Sequence, residues 1–184
     1  MVLIIQTHRL VARFLYNNLD ENLKSKVKYR TFVFANVKPD ILRKYKRVSH
    51  YHPANEKYVF SLIEMVQDPG LSKWSFSDLL GVLVHFLCDY ACVYHSNMRV
   101  NAEDSMFRHM VYEFRMHFYA VHQMRVMERA PVVKFESTDE IFVYIRDVIG
   151  RANMEAVVPD VARDFDEMMI LGMSVMRFVL DGRG

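Results

Sequence analysis

Histidine–carboxylate pairs at helical spacing are the chemically loaded feature of this chain. His85 and Asp89 stand four residues apart in His85-Phe86-Leu87-Cys88-Asp89, and His109 and Glu113 repeat the spacing in His109-Met110-Val111-Tyr112-Glu113. On a helix, residues four apart share a face and their side chains meet. Imidazole and carboxylate held by a rigid backbone make a donor set that suits zinc and similar borderline cations. The stretch from Leu79 to Cys88 is otherwise almost wholly apolar. A carboxylate and an imidazole placed there need compensation, and a metal ion supplies it.

Further ligand-type residues lie nearby. His95 follows Asp89 by six residues, and His8, Asp40 and His50 lie upstream. On a helical wheel His85, Asp89, Cys92 and His95 fall within roughly a third of the circumference. A catalytic zinc site needs about three protein ligands and an open position. The residues present suffice for two such sites. A single pair of this kind is commonly no more than a hydrogen-bonded pair; two pairs with a third histidine between them are harder to explain that way.

The elements that must carry these residues read as helices almost throughout. Val2–Tyr16 has helical apolar spacing, and Leu19–Ala35 is mixed, with room for a short helix. Pro39 marks a break after which Asp40 is expected to cap Ile41–Tyr45. Ser49–Pro53 reads as a loop and Asn55–Gln67 as a helix closed by Asp68-Pro69-Gly70. The central helix is expected to open at Ser75–Asp78 and to run to about His95. Asn101 is expected to cap a long helix to Glu128, with Glu103 and Asp104 near its positive end. Ser137 or Thr138 starts a helix to Ile149, and Pro159 or Asp160 starts one to Leu180. No alternating strand pattern with hairpin turns occurs. The expected fold is an all-α, single-domain, multi-helix bundle over 1–184, with a metal site between two central helices.

Bulk properties narrow the function classes. The chain has 184 residues, 52% hydrophobic and 25% charged, with a net charge of +2. That argues against a dedicated nucleic-acid surface. Two lysine- and arginine-rich clusters, Lys24–Arg30 and Arg43–Arg47, read as solvated faces. The longest apolar run is about ten residues, against roughly twenty for a membrane span. There is no secretory leader pattern, and the two cysteines, Cys88 and Cys92, sit one turn apart and make no disulfide framework. A cytoplasmic protein without a transmembrane segment is the expectation. The thirteen methionines and thirteen phenylalanines read mainly as core. No Walker loop, dinucleotide fingerprint, HExxH or nucleophile elbow is present.

The order and spacing of these residues resemble a known family. The segment from His85 through Asp89 to His95 is similar to the core motif of the zinc-dependent phospholipase C family of bacteria, relatives of which include single-strand-specific zinc nucleases: a histidine, three residues, an aspartate, five residues and a second histidine. His109-Met110-Val111-Tyr112-Glu113 matches the family's downstream His–x–x–Tyr–Glu. Ser49-His50-Tyr51 resembles its Ser–His–aromatic loop, Asp40 sits where it has an upstream aspartate, and His8 where it has an N-terminal histidine. The resemblance covers most of the chain, including the C-terminal helix from Asp164 to Asp181.

The resemblance implies an all-α fold, zinc as cofactor and hydrolysis of phosphoric esters by metal-activated water. It implies that His50, His85 and Asp89 hold one ion and that His95, His109 and Glu113 hold a second. His8 would bind a third, sharing Asp89, and Asp40 would act as general base. Secreted members complete the third site with an N-terminal tryptophan that this chain lacks, so two ions are expected. His52 competes with His50 as the loop ligand. The family's Pro–Met before the second histidine is Val93-Tyr94 here, so the central helix is expected to run straight on. The implied partner is a phosphoester or phospholipid head group, with peripheral membrane contact. Two other readings stay open: a non-catalytic relative that keeps the metal, and a helical lipid- or partner-binding module.

Overall fold

The computed structural model describes residues 2–43, 45, 48–50, 53–97, 100, 106–154 and 158–183. Ten helices and no strand occur among them: α1 (Val2–Asn17), α2 (Glu21–Ser25), α3 (Tyr29–Ala35), α4 (Lys38–Ile41), α5 (Glu56–Val66), α6 (Lys73–Ala91), α7 (Val93–Ser96), α8 (Met106–Val126), α9 (Thr138–Ala152) and α10 (Val161–Asp181). The fold is all-α, as the sequence pattern implies.

A helix that is apolar all round belongs inside. From Leu80 to Ala91 every residue of α6 is buried. The helix is wrapped by α3, α5, α10, α9 and α1, while α8 lies against α1 and α10. Its entry is capped by Ser72, whose side chain accepts from Ser75 N–H, three residues earlier than the expected start. The other caps follow ordinary chemistry. Asp20 opens α2, Ser137 opens α9 and Asp160 opens α10.

Two expectations fail for identifiable reasons. Asp40 does not cap a following helix; it lies inside α4, where Pro39 occupies the first turn. Proline is welcome there because its missing N–H has no partner in any case. The Asp40 carboxylate is thereby left to face inward. The central helix also does not run straight to His95. It ends at Ala91, Cys92 is extended (φ −86, ψ 123), and His95 sits on the separate four-residue α7. The expected Asn101 cap with Glu103 and Asp104 lies outside the described residues, as does His52.

Close approach of α3 to α6 depends on Gly81. A Cβ there would overlap the Phe32 carbonyl and come within 2.6 Å of Ala35 Cβ. On the same side Ser77 Oγ accepts from Lys28 N–H at 2.8 Å, and Asn36 Nδ2 donates to Gly81 O at 3.1 Å. Gly81→Ala is therefore expected to destabilise the protein by about 1–3 kcal/mol through overpacking. Gly150, in α9 with nothing within 4 Å of its added Cβ, is the counter-case: Gly150→Ala is expected to stabilise by about 0.5–1 kcal/mol. Denaturant unfolding of both variants measures the pair, and equal effects would refute the packing account.

Candidate metal centre

Asp89 is the hub. It lies 3% exposed on α6, beside fully buried His85. Three imidazole nitrogens from three elements meet its carboxylate: His8 Nε2 of α1 at 3.2 Å from Oδ1, His50 Nδ1 of the loop after α4 at 2.9 Å from Oδ2, and His85 Nε2 at 3.3 Å from Oδ2. His85 Nε2 also lies 3.2 Å from His50 Nδ1 and 3.8 Å from Asp40 Oδ1. The His8 and His85 rings are 4.0 Å apart between centroids.

The tautomer of His85 follows from its other side. Its Nδ1 lies 2.8 Å from the carbonyl oxygen of Asn36. A carbonyl only accepts, so Nδ1 carries the hydrogen and Nε2 of the neutral ring offers a lone pair. Burial, aided by the neighbouring His8, pushes His85 below its ordinary pKa and keeps it neutral. The lone pair therefore faces the oxygens of Asp89 and Asp40 across 3.3 and 3.8 Å. Converging lone pairs away from water are repulsive unless a cation lies among them.

Charge balance around the hub points the same way. Burial opposes ionisation of Asp89, but the imidazoles of His85 and His95 and hydrogen bonds from His50 and His8 hold it well below the ordinary carboxylate range. Burial likewise works against charge on His8 and His50; Asp89 and Asp40 outweigh it and raise both. A metal ion at these two nitrogens would have to displace any proton they carry.

The second group is smaller. His109 Nε2 and His95 Nε2 lie 3.0 and 3.8 Å from Glu113 Oε1. His109 and Glu113 come from α8, His95 from α7. Tyr94 stacks on the His109 ring at 4.6 Å and 11°. Burial would raise Glu113, but His109 and His95 pull it down to about 2. A cavity of about 40 Å³ is lined by members of both groups, including His8, Asp89, His95 and Glu113. Roughly 10–15 Å³ suffices for one water.

Both groups fit zinc by geometry and donor type. Ligand atoms at about 2.0–2.1 Å from a tetrahedral ion lie about 3.3 Å apart. Within each of three trios, His8–His85–Asp89 and Asp40–His50–His85, which share His85, and the separate His95–His109–Glu113, the ligand atoms lie within 4.8 Å of one another. All eight site residues named from the sequence thus fall in one or other trio. Asp40 stands among ligand-type atoms rather than apart from them, which spacing did not suggest. His117 meets Thr7 Oγ1 at 3.0 Å, and His122 is exposed. Cys88 and Cys92 are buried and unpaired with each other. Sequence reasoning missed Asn36, whose contribution is a backbone carbonyl that no side-chain pattern marks.

The model of the family described as zinc dependent phospholipase C matches residues 7–167. The chain belongs to that family. No curated protein and no solved structure matches the chain. Membership in the zinc dependent phospholipase C family implies zinc, and these His- and carboxylate-rich groups could hold a metal ion.

Zinc binding and proton binding compete here, which sets a pH dependence. The raised His8 and His50 stabilise the metal-free fold below about pH 6.5, and that contribution is lost as pH rises through their folded values. Glu113, at about 2 against an ordinary 4.5, stabilises above about pH 4.5 and loses its contribution as pH falls toward 2. Zinc needs the imidazoles neutral, so its affinity rises with pH. A hundredfold excess over Kd is expected to raise Tm by roughly 5–10 °C per ion at pH 7.5, falling toward nothing near pH 5. Thermal unfolding with and without zinc across that range measures it; a pH-independent shift would contradict the site.

Proposed function

We propose that the protein is a zinc-dependent phosphoric ester hydrolase that cleaves phosphodiesters, with phospholipid head groups as leading substrates. The observation carrying this reading is the His85 lone pair turned by Asn36 O toward two carboxylates, where it joins His50 in a set of ligand-type atoms close enough to share one cation. His50, His85 and Asp89 would hold one ion and His95, His109 and Glu113 a second; His8 would serve a third that shares Asp89. When bound, zinc supplies an acidified water at neutral pH and neutralises charge on the phosphoryl oxygens.

The protein groups have separate tasks. Asp89 stays ionised between the imidazoles and keeps their nitrogens convergent. Asp40 is the general base: its Oδ2 is buried without a hydrogen-bond partner among the described residues, so it is free to accept a proton from water. Its closeness to His85 Nε2, at 3.8 Å through Oδ1, supports a place beside the reacting centre. Burial of His8, His85 and Asp89 limits screening of the charge at the hub by bulk water.

A phospholipid substrate has support on α8. Phe107, Met110, Val111, Phe114 and Phe118 are 70, 55, 41, 48 and 55% exposed. Their spacing puts them on one stripe of the helix that carries His109 and Glu113. Exposed Arg115 and Arg125 lie on the same outward side. An apolar stripe with cationic neighbours suits the interface of a bilayer. No helix among the described residues is long and apolar enough to cross a membrane, so this contact would be peripheral. The two unpaired buried cysteines support a reducing, cytoplasmic setting.

Turnover of a generic soluble phosphodiester tests the chemistry. It is expected to require zinc, to fall by about 10²–10⁴ in Asp40→Asn with zinc retained, and to vanish in His85→Ala with loss of an ion. Zinc binding without turnover of any phosphoester would overturn the hydrolase and leave a non-catalytic metal protein. A double change, Phe114→Asp with Phe118→Asp, is expected to lower turnover of vesicle phospholipid at least tenfold while sparing the soluble substrate; equal loss on both would remove the membrane role.

A further inference from the structure

The second trio is built on an element that cannot hold itself. A four-residue helix has no stability of its own, because nucleation costs more than one turn returns. Yet α7, Val93–Ser96, carries His95, and no side chain of its own caps its start at Cys92. The partner of the Val93 N–H comes from 71 residues away: Asp164 Oδ2 accepts it at 2.8 Å. The same oxygen accepts the Tyr112 O–H at 2.5 Å. Tyr112 adjoins Glu113 and lies 4.9 Å from Tyr94, the ring stacked on His109. Asp164 Oδ1 takes Arg163 Nε and a terminal guanidinium nitrogen at 3.1 and 2.7 Å, and the residue is 1% exposed. At the far end of α7, Asn153 Nδ2 donates to Ser96 O at 2.8 Å.

We propose that Asp164 is a positioning residue for the His95–His109–Glu113 group: one buried carboxylate on α10 sets the start of α7 and the Tyr112 hydroxyl of α8, and so the mutual placement of all three ligands. The inference rests on the reading above that this trio holds a zinc ion. Asp164 touches no ligand atom. It acts as partners beyond the ligands do at metal sites, where their removal weakens affinity by about 10–100-fold. The first group has its own supports, Asn36 O on His85 and the buried α6.

Zinc titration against a competing chelator, on wild type, Asp164→Asn and Tyr112→Phe, tests this. His95→Ala and His50→Ala serve as references for the two sites. Each Asp164 or Tyr112 variant is expected to weaken one site by about 10–100-fold, the site lost in His95→Ala, and to leave the His50 site unchanged. With cobalt substituted for zinc, the absorption band missing in His95→Ala is expected to be the one altered. Unchanged affinities at both sites would overturn the proposal. So would weakening of both sites in step with a lowered Tm, the mark of a merely structural residue. Tyr112→Phe removes one hydroxyl and keeps the test valid should Asp164→Asn fail to fold. Wild type that binds two zinc ions without phosphodiester turnover sinks the hydrolase and leaves this inference standing; wild type that binds no zinc sinks both.

Discussion

The rest of this molecule is arranged around one buried, ionised carboxylate. Asp89 is 3% exposed on the most deeply buried helix, where an unpaired charge would cost several kcal/mol. It stays ionised because His8 and His50 hydrogen-bond it and His95 lies near enough to favour its charge. Each imidazole comes from a different element. The requirement to compensate Asp89 therefore links α1, the loop after α4, α6 and α7 into one assembly.

The two ligand groups obtain their rigidity in different ways. The first hangs on α6, which is clamped on its α3 side through Gly81 and Ser77 and is buried along its whole second half. That clamp brings Asn36 O to His85 Nδ1, so a packing detail in the helix interface selects the tautomer of a ligand. The second group spans a helix break. Its histidine on α7 and its pair on α8 are held in register by α10 through Asp164. A fold that must seat ligands within a few tenths of an ångström uses both means, since ligand side chains alone have too many rotamers to hold such geometry.

Under the proposed reading, the arrangement would serve hydrolysis of a phosphoric ester, a reaction helped by charge neutralisation and a positioned base. Membership in the zinc dependent phospholipase C family and the donor types agree on the metal. The exposed Phe and Met stripe of α8 lies on the helix that carries His109 and Glu113, so contact with a bilayer would involve an element of the site itself.

The spacing of His85 with Asp89 and of His109 with Glu113 was legible in the sequence, because an α-helix converts a four-residue interval into side chains that meet. The all-α class was legible for the same reason of period. The caps at Ser137 and Asp160, each one of two residues the sequence offered, follow from local side-chain chemistry. Three things were decided only by the folded chain. Asp40 became an inward-facing group because Pro39 is accommodated inside α4 rather than before it. Past the break at Cys92, the Val93 N–H is taken by a carboxylate 71 residues downstream, a partner that no local pattern encodes. The direction of the His85 lone pair came from a backbone carbonyl, which every residue possesses and which acquires meaning only through its position. Sequence sets donor types and their intervals along one helix; distances between helices, and hence which donors converge, belong to packing.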